Sequence, residues 1–366
     1  MRIAILAHSL HPIKEPYAGG LEMITHLLCK TLQDKGHTVH LYAHPDSDPT
    51  LTVKPIIART KINLNGVEKY LKESCGIDHR FINEYVAYTQ ILNDIRKTGY
   101  DIMHNHSLHY QPIVLGNMLG IPCVTTLHTP AFPLLQMGSV GIHGYSQQKF
   151  TVVSERLGQI WSEFIEDYEV IYNGIDVSRW KYTLFNAGTY IFWYGRICEE
   201  KGLHTAMEAA IQSRTKLVFA GPISNQKYFD EYVQPLMHND YVEYIGHQNQ
   251  QEINHWLQNA KATLFTSTWE EPYGLVIAES LASGTPVIAH AIGASPEILT
   301  PDCGILVREH TADAYAQAIR SVHTISRTAC RKRAENFCSH KIMINQYLNL
   351  YTRMISSTKP LKRIAI

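Results

Sequence analysis

Apolar runs alternate with amphipathic stretches along this chain, and the alternation occurs twice. Residues 2–7 end in an unbroken apolar run from Ile3, the pattern of a strand covered on both faces. A loop with Pro12, Pro16 and Gly19-Gly20 follows. Leu21, Ile24, Leu27, Leu28 and Leu32 then recur at helical spacing up to Gly36. Residues 38–43 read as the next strand. Residues 80–97, with Ile82, Val86, Ile91 and Ile95, read as a helix, and 101–104, 122–127 and 150–153 as further short strands. The stretch 45–75 has no regular period.

A second series begins near Thr189. Strands are expected at 190–194, 217–220, 242–245, 262–266, 287–289 and 305–307. Helices are expected at 203–212, 228–237 and 250–258, after Gly274, and onward to about residue 355. Strands that alternate with helices build mostly parallel, doubly wound sheets. The fold class is therefore α/β, with two Rossmann-like domains facing a central cleft. The expected domains are residues 1–170 and 171–346, with a linker inside 167–188, where Asn173-Gly174 marks a turn. Ligands in such folds bind beyond the C-terminal ends of the strands.

Length and composition narrow the function classes. A chain of 366 residues with 45% hydrophobic content can fill two cores. Lys+Arg and Asp+Glu each total 33, a balance that argues against a nucleic-acid partner. The seven cysteines are scattered without a CxxC pair, which favours a reduced, cytoplasmic protein. No apolar run approaches a membrane span, so any membrane contact is expected to be peripheral.

Two segments carry the chemistry. In Ser267-Thr-Trp-Glu-Glu-Pro-Tyr-Gly-Leu-Val-Ile-Ala-Glu279, Glu271 and Glu279 stand eight positions apart, with a loop and then a helix start between them. The free N–H groups of a helix's first turn hold phosphate oxygens, and carboxylates accept hydrogen bonds from sugar hydroxyls. In Tyr194-Gly195-Arg196-Ile-Cys-Glu-Glu-Lys201-Gly202, a planar guanidinium and a mobile ammonium follow the second domain's first strand. Alone, an Arg and a Lys in a polar turn signify little. Beside the two carboxylates they suit a diphosphate leaving group.

Other residues invite competing readings. His104, His106 and His109 resemble a metal cluster, but the spacing matches no familiar zinc pattern and no Cys or carboxylate completes it. Asp46-Ser-Asp48 sits between Pro45 and Pro49 and reads as a turn. Glu270 is expected to be a solvated loop acid. The basic cluster Arg331-Lys-Arg333 and the tail Lys359, Lys362, Arg363 are expected to be solvated.

Taken together, Gly-Arg-x4-Lys-Gly followed by Glu-x7-Glu resembles the retaining family-4 glycosyltransferases of GT-B fold. The resemblance covers nearly the whole chain. It includes Gly19-Gly20, Asp101-Ile-Met-His104-Asn-His106, Thr125-Thr-Leu-His128-Thr, Val153-Ser154-Glu155, Val170-Ile-Tyr-Asn173-Gly174-Ile-Asp176 and Ala220-Gly221-Pro222. It implies that Arg196 and Lys201 bind the donor diphosphate, with backbone N–H groups from Gly274 and Leu275. It further implies that Glu271 contacts the transferred sugar and Glu279 the ribose. Gly19 and Gly20 would approach the diphosphate from the first domain, and His128 would face the reacting sugar. His104 and His106 are acceptor-side candidates. Tyr273 departs from the more frequent Phe and leaves a hydroxyl in need of a partner. The helix near 347–366 is implied to cross back onto the first domain.

The implied reaction moves a sugar from a nucleotide diphosphate sugar, a UDP-sugar by family preference, to an acceptor hydroxyl. The anomeric configuration is kept, with neither metal nor further cofactor. The acceptor is open among a glycan, a lipid-linked molecule and a small molecule. A nucleotide-sugar epimerase or phosphorylase of the same fold is the alternative, and a silent sugar-binding module the non-enzyme one. A dinucleotide-dependent dehydrogenase is disfavoured, because no GxGxxG follows the first strand.

Overall fold

A computed structural model of the chain describes residues 1–357 except 61, 64, 143, 145–147 and 185–187. The chain forms two compact units. The first comprises Met1–Val153, Leu157–Ile171 and the segment from Ile344. The second comprises Ser154–Arg156 and Tyr172–Met343.

The first unit holds a seven-stranded sheet: β1 (Arg2–Leu6), β2 (Thr38–Ala43), β3 (Val53–Pro55), β4 (Ile102–Asn105), β5 (Cys123–Leu127), β6 (Gln148–Val152) and β7 (Tyr168–Val170). The order is β3-β2-β1-β4-β5-β6-β7, and every pairing is parallel. β4 and β5 are buried along their whole length, as strands covered on both faces must be. Leu6 pairs with Asn105, which pairs with Thr125, so β1 and β4 end level and β5 runs two residues further. Two three-residue edge strands were not expected from the pattern. β3 lies in the stretch without a period, and β7 lies in the expected linker. Pro55 is tolerated in β3 because an edge strand can spare an N–H.

The second unit repeats the plan with β8 (Tyr190–Tyr194), β9 (Lys216–Ala220), β10 (Val242–Tyr244), β11 (Ala262–Phe265), β12 (Val287–His290) and β13 (Gly304–Val307), in the order β10-β9-β8-β11-β12-β13. Its core gathers Trp193, Leu203, Met207, Phe219, Tyr315 and Ile319. In each sheet the winding reverses at the first strand, between β1 and β4 and between β8 and β11. Such switch points are where doubly wound sheets bind ligands.

One expected helix is broken. Residues 226–236 form a helical turn, a wide π turn (Phe229–Val233) and a 3-10 turn (Gln234–Leu236). Pro235 supplies no N–H to bond one turn back, so a regular α-helix cannot continue through it. The basic cluster also differs from expectation. Arg331 donates to the carbonyls of Val177, Trp180 and Ala282, and Arg333 to those of Glu297 and Ile298; only Lys332 is exposed. Both guanidiniums thus turn inward to backbone carbonyls. The tail cations Lys359, Lys362 and Arg363 lie outside the described residues.

The last described helix, His340–Ser357, starts in the second unit and enters the first at Ile344. There Tyr351 bonds His104 Nδ1 at 2.5 Å and Tyr347 bonds Thr126 Oγ1 at 3.1 Å, both in the core. All seven cysteines are free, and only Cys75 is exposed. No described helix is long and apolar enough to cross a membrane.

Candidate active site

In the second unit, the predicted donor residues cluster beyond the ends of β8 and β11. Gly195 follows β8, and its N–H bonds the Ala220 carbonyl at 3.1 Å. A Cβ at Gly221 would overlap the Gly195 carbonyl, so the two strand ends touch backbone to backbone. Arg196 then projects outward with its side chain 60% exposed, its guanidinium 3.5 Å from Glu200. Lys201 closes the 3-10 turn Glu199–Lys201, and its carbonyl accepts the Thr266 hydroxyl at 3.0 Å.

Lys201 Nζ forms an ion pair with Glu271 Oε1, and both side chains are mostly buried. Ser267 Oγ donates to the same oxygen at 3.3 Å. Three residues on, Gly274 takes φ 89°, a left-handed conformation that glycine adopts without strain, and opens the helix Leu275–Ala282. Among the described residues no side chain caps this helix and no acid sits in its first turn; Ile277 N–H bonds the Gly274 carbonyl, which leaves those of Leu275 and Val276 for an anion. Glu279, inside the helix, accepts the Tyr194 hydroxyl at 2.5 Å. Burial pushes Glu279 up to about 7, although the Tyr194 bond acts in the opposite sense. The structure therefore ties both carboxylates to the strand end that carries the cations.

Supports that sequence reading missed hold this loop. His290 Nδ1 donates to the Ser267 carbonyl at 3.0 Å and His310 Nε2 to that of Thr266 at 2.8 Å. Ala294 N donates to the Glu271 carbonyl at 3.1 Å. A histidine at a strand or loop end has no distinctive spacing, so no sequence signal marks these contacts. Glu270 is not the solvated acid expected. It receives two bonds from Arg156, at 3.0 and 2.9 Å, because the guanidinium fork matches a carboxylate. The Tyr273 ring is 3% exposed, and its hydroxyl lies against the Cys338 thiol, a weak partner, with no stronger one among the described residues.

In the first unit, the ends of β1, β4 and β5 present His8, His106 and His128. His106 Nδ1 lies 2.8 Å from His128 Nε2. Burial, with neighbouring imidazoles, pushes His106 well below its ordinary range and His128 to about 3, so both rings are neutral at physiological pH. His104 does not join them as an acceptor-side residue. It is fully buried, with Nδ1 on Tyr351 and Nε2 on Thr126 at 2.6 Å, and no ring nitrogen remains for a substrate.

The helix Gly20–Asp34 starts at Gly19-Gly20, but its first turn already holds a carboxylate. Glu22 is buried, and His8 Nε2 donates to it at 3.0 Å. Burial alone would raise Glu22; the His8 bond, its own amide and nearby imidazoles reverse this and hold it below the usual carboxylate range. His8 and Glu22 were missed in the sequence, where a lone histidine after a strand and an acid in a first turn are both ordinary.

His109 caps the helix Tyr110–Gly116 by accepting the Gln111 amide at 3.2 Å. No three His, Cys, Asp or Glu residues among those described are grouped to hold a metal ion. Asp48 accepts from His26 and from the Thr50 amide, both at 2.8 Å, and Ser47 bonds the His44 carbonyl at 2.7 Å, so Asp46-Ser-Asp48 is a turn.

Two doubly wound parallel sheets, one with a cation and carboxylate cradle at an open helix start, define a glycosyltransferase of GT-B fold. The chain belongs to the glycosyl transferases group 1: that family's model matches residues 175–337, and the Glycosyltransferase Family 4 model matches residues 18–179. Each match falls almost wholly within one unit. Among curated relatives, the glycogen synthase of Mycobacterium tuberculosis is 23% identical over 360 residues, covering 88% of this chain and 86% of that protein. The D-inositol 3-phosphate glycosyltransferase of Pseudarthrobacter chlorophenolicus is 24% identical, covering 88% and 87%. Among solved structures, Anabaena HepE in complex with UDP aligns with a TM-score of 0.76 at 18% identity, over 96% of this chain and all of that one. Sucrose-phosphate synthase from Thermosynechococcus elongatus aligns with a TM-score of 0.75 at 18% identity, over 98% and 100%.

Proposed function

We propose that this enzyme transfers a sugar from a nucleotide diphosphate sugar, most suitably a UDP-sugar, to an acceptor hydroxyl with retention of the anomeric configuration and without a metal ion. The observation that carries the reading is the Lys201–Glu271 pair beside the uncapped helix start at Gly274. Cleavage of the glycosyl–phosphate bond leaves negative charge on the diphosphate and an oxocarbenium-like sugar. Arg196, Lys201 and the first-turn N–H groups at Gly274 and Leu275 stabilise that negative charge. The arriving diphosphate draws Lys201 from Glu271, and the freed carboxylate accepts the sugar's hydroxyls. Glu279, already bonded to Tyr194, receives the ribose hydroxyls.

Glu271, which Lys201 and Ser267 hold in place in the free enzyme, orients the sugar and does not attack it. The leaving phosphate takes the acceptor's proton on the face it departs from, which keeps the configuration. Residues 1–170, with His128, serve the acceptor side, and residues 171–346 the donor; the acceptor is a glycan, a lipid-linked molecule or a small molecule. The crystal structures of HepE with UDP and with UDP-glucose support the choice of nucleotide by analogy of fold. We further propose a cytoplasmic location.

Screening nucleotide sugars for nucleotide diphosphate release tests the reading. Release should depend on Arg196 and Lys201, and the product should keep the donor's anomeric configuration. Sugar conversion with donor alone, or an inverted product, would contradict it.

A further inference from the structure

His106 and His128 share a single proton position between two facing nitrogens, 2.8 Å apart. If His128 Nε2 carried that proton, neutral His106 would hold its own on Nε2. That atom is buried and has no partner among the described residues. The neighbouring His104 ring, 3.9 Å away between centroids, offers none, because its nitrogens are bonded to Tyr351 and Thr126. A buried N–H without an acceptor is costly and rare, whereas an unused lone pair on a ring nitrogen is milder. The proton therefore sits on His106 Nδ1, and His128 Nε2 accepts it. His128 is only part-buried, so its other nitrogen is the one left to meet a ligand. On the remaining side of the cluster, His8 Nδ1 accepts the Leu10 amide at 3.1 Å and its Nε2–H faces Glu22, so His8 supplies no competing donor.

We infer that His106 is a positioning residue that locks His128 in its Nδ1–H tautomer, so that His128 meets a substrate oxygen as a hydrogen-bond donor and not as a base. The role of His128 rests on the proposed glycosyl transfer; the tautomer does not. Burial keeps both rings neutral, consistent with a fixed tautomer across physiological pH.

Long-range proton–nitrogen correlation spectra of ¹⁵N-histidine-labelled enzyme read the tautomer directly. Both His106 and His128 should show a protonated Nδ1 and an unprotonated Nε2. His106→Leu should let His128 redistribute toward Nε2–H and lower kcat/KM about tenfold, the worth of one hydrogen bond. His106→Asn places an amide donor near the original Nδ1 and should restore both readouts, which bare loss of packing would not. A protonated His128 Nε2 in the parent enzyme, or an unchanged His128 spectrum in His106→Leu, overturns the inference. The expected spectra with full turnover in His106→Leu overturn the positioning role. The expected spectra with full turnover in His128→Ala leave the tautomer standing and contradict the proposed acceptor side.

Discussion

The two units share one plan, with parallel strands and a reversal at the first strand, yet their strand ends are electrostatic opposites. Beyond β1, β4 and β5 stand the neutral imidazoles of His106 and His128, with His8 and a buried carboxylate, Glu22, set in the first turn of the helix that follows β1. Beyond β8 and β11 stand Arg196 and Lys201, beside a helix whose first turn has neither cap nor acid. A helix start attracts phosphate only while its N–H groups and partial positive charge are free. In the first unit Glu22 bonds its own amide and sets a carboxylate in that turn. The same architecture thus presents two different sets of groups, and the residues at strand ends decide which.

The largest test of this contrast is charge removal in the second unit. Lys201→Ala and Arg196→Ala should each lower kcat/KM by about 2–4 kcal/mol of transition-state stabilisation, measured by steady-state kinetics. Near-normal turnover in both would remove the cradle from the mechanism.

Glu279 gives the next largest effect. Its folded-state pKa, about 7, lies above the ordinary 4.5, so the unfolded chain ionises first and stability falls as pH rises through that window. Glu279→Gln escapes this penalty. It should be more stable than the parent by on the order of 2–3 kcal/mol at pH 8 and unchanged at pH 4, by denaturant titration. It should also bind nucleotide sugar about tenfold more weakly at pH 8, since a charged acceptor for ribose is lost. Equal stabilisation at both pH values would place the effect outside ionisation.

Glu22→Gln sharpens the comparison from the other side. It should cost roughly 1 kcal/mol of stability by weakening the His8 contact, with donor affinity within about twofold of the parent. A clear gain in donor affinity by calorimetry would mean that the first unit's helix start also holds phosphate. The smallest effect belongs to Tyr273→Phe. Deleting a buried hydroxyl whose one neighbour is the weakly accepting Cys338 thiol should leave turnover unchanged and shift stability by less than about 1 kcal/mol. A loss of turnover would reveal a ligand bond to that hydroxyl.

The long elements were legible because burial on both faces leaves continuous apolar runs and because helices repeat at 3.6 residues. The cradle was legible because a guanidinium, an ammonium, two carboxylates and glycines at fixed spacing leave few other uses for that pattern. β3 and β7 were not, since three residues at a sheet edge carry no period. His8–Glu22, His290 and His310 were hidden for a different reason. Each acts on a residue far away in sequence, and pairing of distant residues leaves no local mark. The cluster Arg331-Lys-Arg333 misled because composition does not show which guanidiniums turn inward to carbonyls.

A crystal structure of the enzyme with an intact nucleotide sugar tests the central claim most directly. The diphosphate should lie against Arg196, Lys201 and the first turn of the helix Leu275–Ala282, with Lys201 parted from Glu271. A diphosphate bound elsewhere, with the Lys201–Glu271 pair still closed, would contradict it.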